Sequence, residues 1–367
     1  MHVRFLLVLM VMFAFATSLC GAIAEFAELK ANGVIYRKVV VTQVTEQAII
    51  IRHSRGIAQV LLKDLKPELQ KQFGYDSERV EAYLADREKR EQRALKKVTT
   101  AQRTPSPSST PADRVLASFG THPDYKERVD LRPDFTALKL HTKDQGRRPS
   151  CAVFAVVGAL EFENAKTADQ PEKFSEEYLI WATRESLGIR SEADKDFDPN
   201  QDGDLGFSLI EVVQALRSYG ILDSASMPNT FGKSMAAIEE PDEKLISDAR
   251  TRRKVSSYFI TGRGNEAKVD NIVHALNENI PVVIGLGWPN SATLRSAPIL
   301  SKQKPLYGHA VTLVGYKNES GDPSEMLFQF KNSWGTGWGI NGHGWITREY
   351  LEKNLNSAAF LEVAGES

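Results

Sequence analysis

Two cysteines in a chain of 367 residues decide how this protein can be held together. Cys20 falls inside an apolar leader. Arg4 carries a positive charge, residues 5–16 lack any polar side chain, and Ala22-Ile23-Ala24 has the small-x-small pattern of signal-peptidase cleavage after Ala24. The apolar run is shorter than the ~20 residues of a membrane span. Residues 1–24 therefore read as a signal peptide, and the mature chain as an exported protein (periplasmic, cell-surface or secreted) without a membrane span. Cleavage leaves Cys151 alone, so the fold must rest on buried apolar surface rather than on internal disulfides. A lone thiol in an oxidising compartment also points to chemistry.

Composition supplies that surface. With 42% hydrophobic and 25% charged residues, the chain is neither wholly disordered nor a polytopic membrane protein. A net charge of −1, mildly basic over residues 25–113 and mildly acidic beyond, excludes an electrostatic nucleic-acid binder. The length fits two or three domains. Residues 25–75 read as a small all-β module. Val34-Ile35-Tyr36, Lys38-Val39-Val40-Val41-Thr42, Ala48-Ile49-Ile50-Ile51 and Ala58-Gln59-Val60-Leu61-Leu62 are β-rich runs separated by turn residues. The segment resembles the SH3-like modules that precede other domains in some bacterial exported proteins. Residues 76–113 read as a charged helix followed by a Ser/Thr/Pro-rich linker over 99–111, open to proteolysis. In residues 114–367 helical patterns come first (from Cys151, over 209–219 and over 266–279) and strands follow after Pro281. That order predicts an α+β domain in two facing parts, one helical and one an antiparallel, barrel-like sheet.

A cysteine nucleophile needs a lowered pKa, a histidine partner, a group that orients the histidine, and donors for an oxyanion. Cys151 opens a predicted helix, where free N–H groups and the helix dipole favour thiolate. Gln145, six residues upstream, can donate its amide N–H to an oxyanion, as can the Cys151 backbone. Of the histidines outside the leader, His309 stands out at the start of Gly308-His309-Ala310-Val311, flanked by small residues. Asn332 follows 23 residues later in Lys331-Asn332-Ser333-Trp334-Gly335-Thr336-Gly337-Trp338-Gly339. Its side-chain oxygen can hold the imidazole tautomer that faces the thiol, with Trp334 covering the bond. His343 reads as a turn residue, His274 as structural, and Trp288 and Trp345 as core.

These stretches, with Gln145-Gly146 to Cys151-Ala152-Val153-Phe154-Ala155 and Val129-Asp130-Leu131-Arg132, resemble the papain family of cysteine proteases over about residues 127–365. The resemblance implies Cys151 as nucleophile, His309 as general base and acid, Asn332 as orienter and Gln145 as oxyanion-hole side chain. It implies a peptide or protein substrate and no cofactor. It also puts a substrate-binding ledge at Gly203 or Gly206, with Gly308 and Trp334 at the cleft and Trp334 and Trp338 as shielding indoles. The sequence departs from the family at Arg148, where a disulfide cysteine is usual, and at Pro149, Ala152 and Gly308. The family's inhibitory propeptide pattern is not recognisable in residues 25–113.

Asp198-x-Asn200-x-Asp202-Gly203 matches the opening of a calcium loop, but Leu209 stands where the bidentate glutamate belongs, so an ordinary acidic turn is the simpler reading. Two rival functions are a papain fold that binds without catalysis, and a chain whose main role is partner or surface binding through the N-terminal module.

Overall fold

The computed structural model describes residues 23–31, 33–44, 48–53, 56–82, 110–166, 171–199, 202–204, 206–251, 255–289, 294 and 298–363. Residues 1–22 of the leader lie outside them, as do Asn200 and residues 83–109, which include most of the expected charged helix and linker. The chain divides into two compact units, Met1–Val80 and Glu81–Ser367.

The first unit is an antiparallel meander of β1 (Ala24–Ala31), β2 (Val34–Val44), β3 (Ala48–His53) and β4 (Gly56–Leu61). Alternation along the strands buries Leu29, Val39, Val41, Ile49, Ile51 and Val60 on one face. Leu62, Leu65 and Phe73 close that face, the last from just after a short helix, α1 (Pro67–Gln72).

The second unit's first helix is α2 (Pro111–Ser118), which overlaps the end of the stretch read as linker at Pro111 and continues beyond it. Thr110 accepts a hydrogen bond from the Asp113 N–H and Pro111 sits at the first helical position, while Ala112 and Val115 are buried. This capped helix sets the end of any linker before Thr110. Next come β5 (Arg128–Asp130), α3 (Arg132–Ala137), α4 (Cys151–Ala165), α5 (Glu176–Ser186), α6 (Leu209–Tyr219) and α7 (Glu243–Thr251). The rest of the unit is β6 (Val255–Phe259), α8 (Gly264–Asn277), β7 (Val282–Trp288), β8 (Ile299–Leu300), β9 (Tyr307–Lys317), β10 (Leu327–Lys331), β11 (His343–Thr347), α9 (Arg348–Asn354) and β12 (Leu355–Val363).

Helix α4 is buried all round: every residue after Cys151 is buried, and all of them are apolar but Glu161, Glu163 and Asn164 near its end. Such a helix can only sit between two cores. Its first turns pack with α5 and α6 around Val153, Val156, Leu160, Tyr178 and Val213. Phe162 and Ala165, near its end, join the sheet-side core of Val282, Ile284, Leu313 and Phe360. Helix α6 has the bounds read from sequence, 209–219. A Ser208/Glu211 capping box starts it, and Gly220, at φ 72°, stops it.

The sheet runs β6-β12-β7-β9-β10-β11-β8, with β5 added to β9. Its pairs are antiparallel except β11–β8, which is parallel, so the expected purely antiparallel sheet needs that correction. His343 belongs to the start of β11, paired with Lys331, rather than to a turn. Strand β9 is the spine. It carries His309 at one end, opposite Leu286 of β7, and takes β5 at the other, with Val129 opposite Tyr316. Gly315 permits that second contact, because a Cβ there would lie 2.2 Å from the Val129 carbonyl oxygen.

Candidate active site

Cys151 is the first residue of α4 and half-buried, at the end where the backbone N–H groups are unpaired. The N–H groups of Ala310, Ala152 and Cys151 itself are directed at its sulfur and favour the thiolate, whereas burial pushes the thiol up. Ala310 adjoins His309, so β9 brings the imidazole-bearing residue to the thiol.

His309 is 6% exposed, and its Nε2 lies 2.8 Å from Asn332 Oδ1. That oxygen also accepts the backbone N–H of Ser333 at 2.8 Å, which settles which end of the amide faces the ring. An oxygen facing Nε2 requires that nitrogen to carry the proton, leaving Nδ1 free to take another from sulfur. Trp334 stacks on the imidazole with centroids 4.6 Å apart and planes at 28°. Trp288 meets it edge-on, also at 4.6 Å. These walls exclude water, and burial pushes the imidazole down to about 4 against the raising effect of Asn332. Burial therefore penalises each charged form taken singly. Moving one proton from sulfur to ring creates both charges together, and their mutual attraction opposes the two penalties.

Gln145 is also buried, and both ends of its amide are held. Oε1 accepts from the Ser333 hydroxyl at 2.6 Å, and Nε2 donates to the Arg148 carbonyl at 2.9 Å. The surrounding backbone pairs with the Asn332 loop: Gln145 N–H donates to Ser333 O and Gly335 N–H to Lys143 O. The oxyanion-hole candidate and the histidine-orienting residue thus stand on two hydrogen-bonded loops.

Beneath this seam lies a buried charge cluster. Lys143 Nζ bridges Glu161 of α4 at 2.6 Å and Glu176 of α5 at 2.5 Å. Lys331, beside Asn332, is pushed down to about 8 by burial, partly offset by the same two carboxylates. Gly158 leaves room for it, since a Cβ there would sit 3.4 Å from Lys331 Nζ.

Gly206, at φ 75°, passes close to the residue before the helix cap, where a Cβ would lie 3.2 Å from Pro149 O. This places its loop next to the approach to Cys151. Gly308 is exposed, with open space where a side chain would project. Gly203 sits in the neighbouring acidic turn, between Asp202 and Asp204. There Asp202 accepts the N–H groups of Arg190 and Asp198 and pairs with the Arg190 guanidinium at 3.5 Å. Its carboxylate folds the turn, and the calcium reading loses a ligand. Trp338 packs edge-on to Trp334 at 5.3 Å and near Trp288 at 6.4 Å, extending the aromatic wall.

Three contributors were not singled out by sequence reasoning. Ser333 anchors both Gln145 and Asn332, Trp288 is at once a core residue and a wall of the histidine, and Arg148 supplies the carbonyl that receives Gln145. Ser333 carried a signal in its place between Asn332 and Trp334, Arg148 only as a departure from the family pattern, and Trp288 only as a core residue.

A family profile described as papain family cysteine protease matches residues 125–363. The chain belongs to the papain family. Its papain-type region is 26% identical over 220 residues to a cathepsin L-like proteinase of Fasciola hepatica, a match covering 59% of each chain. It is 27% identical over 213 residues to cysteine proteinase 1 of Entamoeba histolytica, covering 55% of this chain and 58% of that one. The chain thus spans about six tenths of the length of these papain-family relatives. Xylellain, a cysteine protease from Xylella fastidiosa, shares the papain fold with a TM-score of 0.53 at 21% identity, over 70% of this chain and 91% of that one. Among the described residues no helix is long and apolar enough to cross a membrane.

Proposed function

We propose that the protein is an exported cysteine peptidase that cleaves peptide bonds through a thioester on Cys151. The observation that carries this reading is the 2.8 Å contact from His309 Nε2 to an Asn332 oxygen whose identity the Ser333 N–H fixes, on a strand that delivers the ring to a helix-capping thiol. His309 Nδ1 takes the thiol proton as sulfur attacks the peptide carbonyl. The carbonyl oxygen becomes an oxyanion, received by the Gln145 amide and the Cys151 backbone N–H. Collapse breaks the C–N bond, and the imidazolium returns its proton to the leaving amine. Water, deprotonated by the same ring, then hydrolyses the thioester and frees the thiol. Every proton is carried by residues already present, so the cycle calls for no cofactor.

Peptide hydrolysis by the purified protein, its loss in Cys151→Ala, and its loss on iodoacetamide treatment with label on Cys151 test this reading. Turnover that survives Cys151→Ala refutes it. Gly203, Gly206, Gly308 and Trp334 are assigned to the substrate cleft, which receives an extended peptide by backbone pairing. The N-terminal β-unit is assigned as an SH3-like module for a surface or protein partner. Export is tested by the N-terminus of the mature protein, expected at Glu25.

A further inference from the structure

The side chain three residues before Cys151 takes no part in the proton transfers above, yet it is among the most buried in the protein. Arg148 is 1% exposed. Its guanidinium grips Glu177 at both ends, with Nη1 3.1 Å from Oε1 and Nη2 2.6 Å from Oε2. Nη2 also donates to Asn229 Oδ1 at 2.8 Å, and Glu177 Oε1 accepts the Thr230 hydroxyl at 2.5 Å. One ion pair therefore ties the loop before Cys151 to the first turn of α5 and to the 229–230 segment. At the other end of the same residue, the Arg148 carbonyl accepts from Gln145 Nε2 at 2.9 Å and from the Ser150 N–H at 2.8 Å.

A buried ion pair contributes little net stability, because desolvation of both charges offsets their attraction. A planar, two-bond fork does confer direction. The Gln145 amide has its oxygen held by Ser333, and one of its two N–H bonds is spent on the Arg148 carbonyl. The aim of the remaining N–H is therefore set by where that carbonyl stands, and the carbonyl's residue is clamped by Glu177.

We propose that Arg148 is a positioning residue: its forked pair with Glu177 holds the carbonyl that aims the free N–H of Gln145 at the oxyanion. The inference rests on the peptidase reading above. It predicts a role that passes wholly through Gln145, and a double-mutant cycle isolates that dependence.

The experiment measures kcat, KM and the pH profile on one peptide substrate for the wild type, Arg148→Lys, Gln145→Ala and the combined variant. Arg148→Lys keeps the charge and loses the fork. It is expected to lower kcat about tenfold in the wild-type background, with KM and the pH profile unchanged, and to cause no further loss once Gln145 is alanine. Equal losses in both backgrounds, or no loss of kcat in a folded variant, overturn the proposal. The paired replacement Arg148→Met with Glu177→Leu leaves no unmatched buried charge. It carries the same cycle if the lysine variant does not fold. A wild-type protein that hydrolyses no peptide refutes the peptidase reading, and the proposal with it; an active wild type with equal losses refutes the proposal alone.

Discussion

At the scale of single residues, the site is built from atoms whose roles are separable by substitution. Replacing Gln145 with alanine removes one of the two proposed oxyanion donors while leaving the Cys151 N–H in place, so kcat is expected to fall by about 10²–10³ with little change in KM. Steady-state kinetics on a single peptide checks it. The buried histidines make a second outcome predictable. His309 and His343 are both pushed down to about 4 by burial, against an unfolded value near 6.5. Between those values the unfolded chain binds more protons at these two sites than the folded one, so their contribution to stability rises with pH across that window and is lost on acidification. Glu163, pushed up to about 7 by burial, contributes in the opposite sense, so the histidine effect is read as a difference between two proteins. The thermal midpoint of the Cys151→Ala protein should fall relative to that of Cys151→Ala with His343→Gln as pH goes from about 6.5 to 4. A difference that does not change with pH contradicts the buried, neutral imidazole. The candidate set Cys151, His309, Asn332 and Gln145 was readable before any coordinates, because each proposed chemical role restricts the residue type and each sits in a short, glycine-marked motif. Arg148 was readable only as a departure. Its partners Glu177 and Asn229 lie 29 and 81 residues away and meet it through packing that no local pattern encodes.

At the scale of elements, the same division holds. Helix α6 was legible to its ends, 209–219, with Gly220 as its stop, and the Ser208/Glu211 capping box adds a chemical mark at its start. Helix α2 was hidden by its Ser/Thr/Pro-rich approach, and α5 and α7 by charged residues whose apolar face shows only once its packing partners are known. The longer strands after Pro281 were legible, but β5 and β6 precede it and were not read, and the parallel β8–β11 pairing depends on a two-residue strand too short to carry a pattern. Two substitutions test how the elements are fastened. Ser208→Ala removes the cap of α6 and should cost about 1 kcal/mol in denaturant unfolding. Gly315→Ala forces a methyl group against the Val129 carbonyl and separates β5 from β9, with an expected loss of about 2 kcal/mol or more. An unchanged denaturation midpoint for Gly315→Ala contradicts the close backbone approach.

At the scale of the whole molecule, the second unit holds two cores on either side of one helix, and Cys151, free in the structure, is the one cysteine among the described residues. Stability owed to apolar burial does not respond to thiol reagents. A protein lacking residues 1–24 should show the same thermal midpoint with and without dithiothreitol, while its activity depends on a reduced Cys151. A reductant-dependent midpoint refutes this. The helix that separates the cores has a further consequence in time rather than in space. Because α4 has no face toward solvent, its amide hydrogens cannot exchange with deuterium by fraying or by local opening, and must await the loss of both cores. The interior of α4 should be among the slowest-exchanging segments of the chain, so the thiol is mounted on the end of its most persistent backbone.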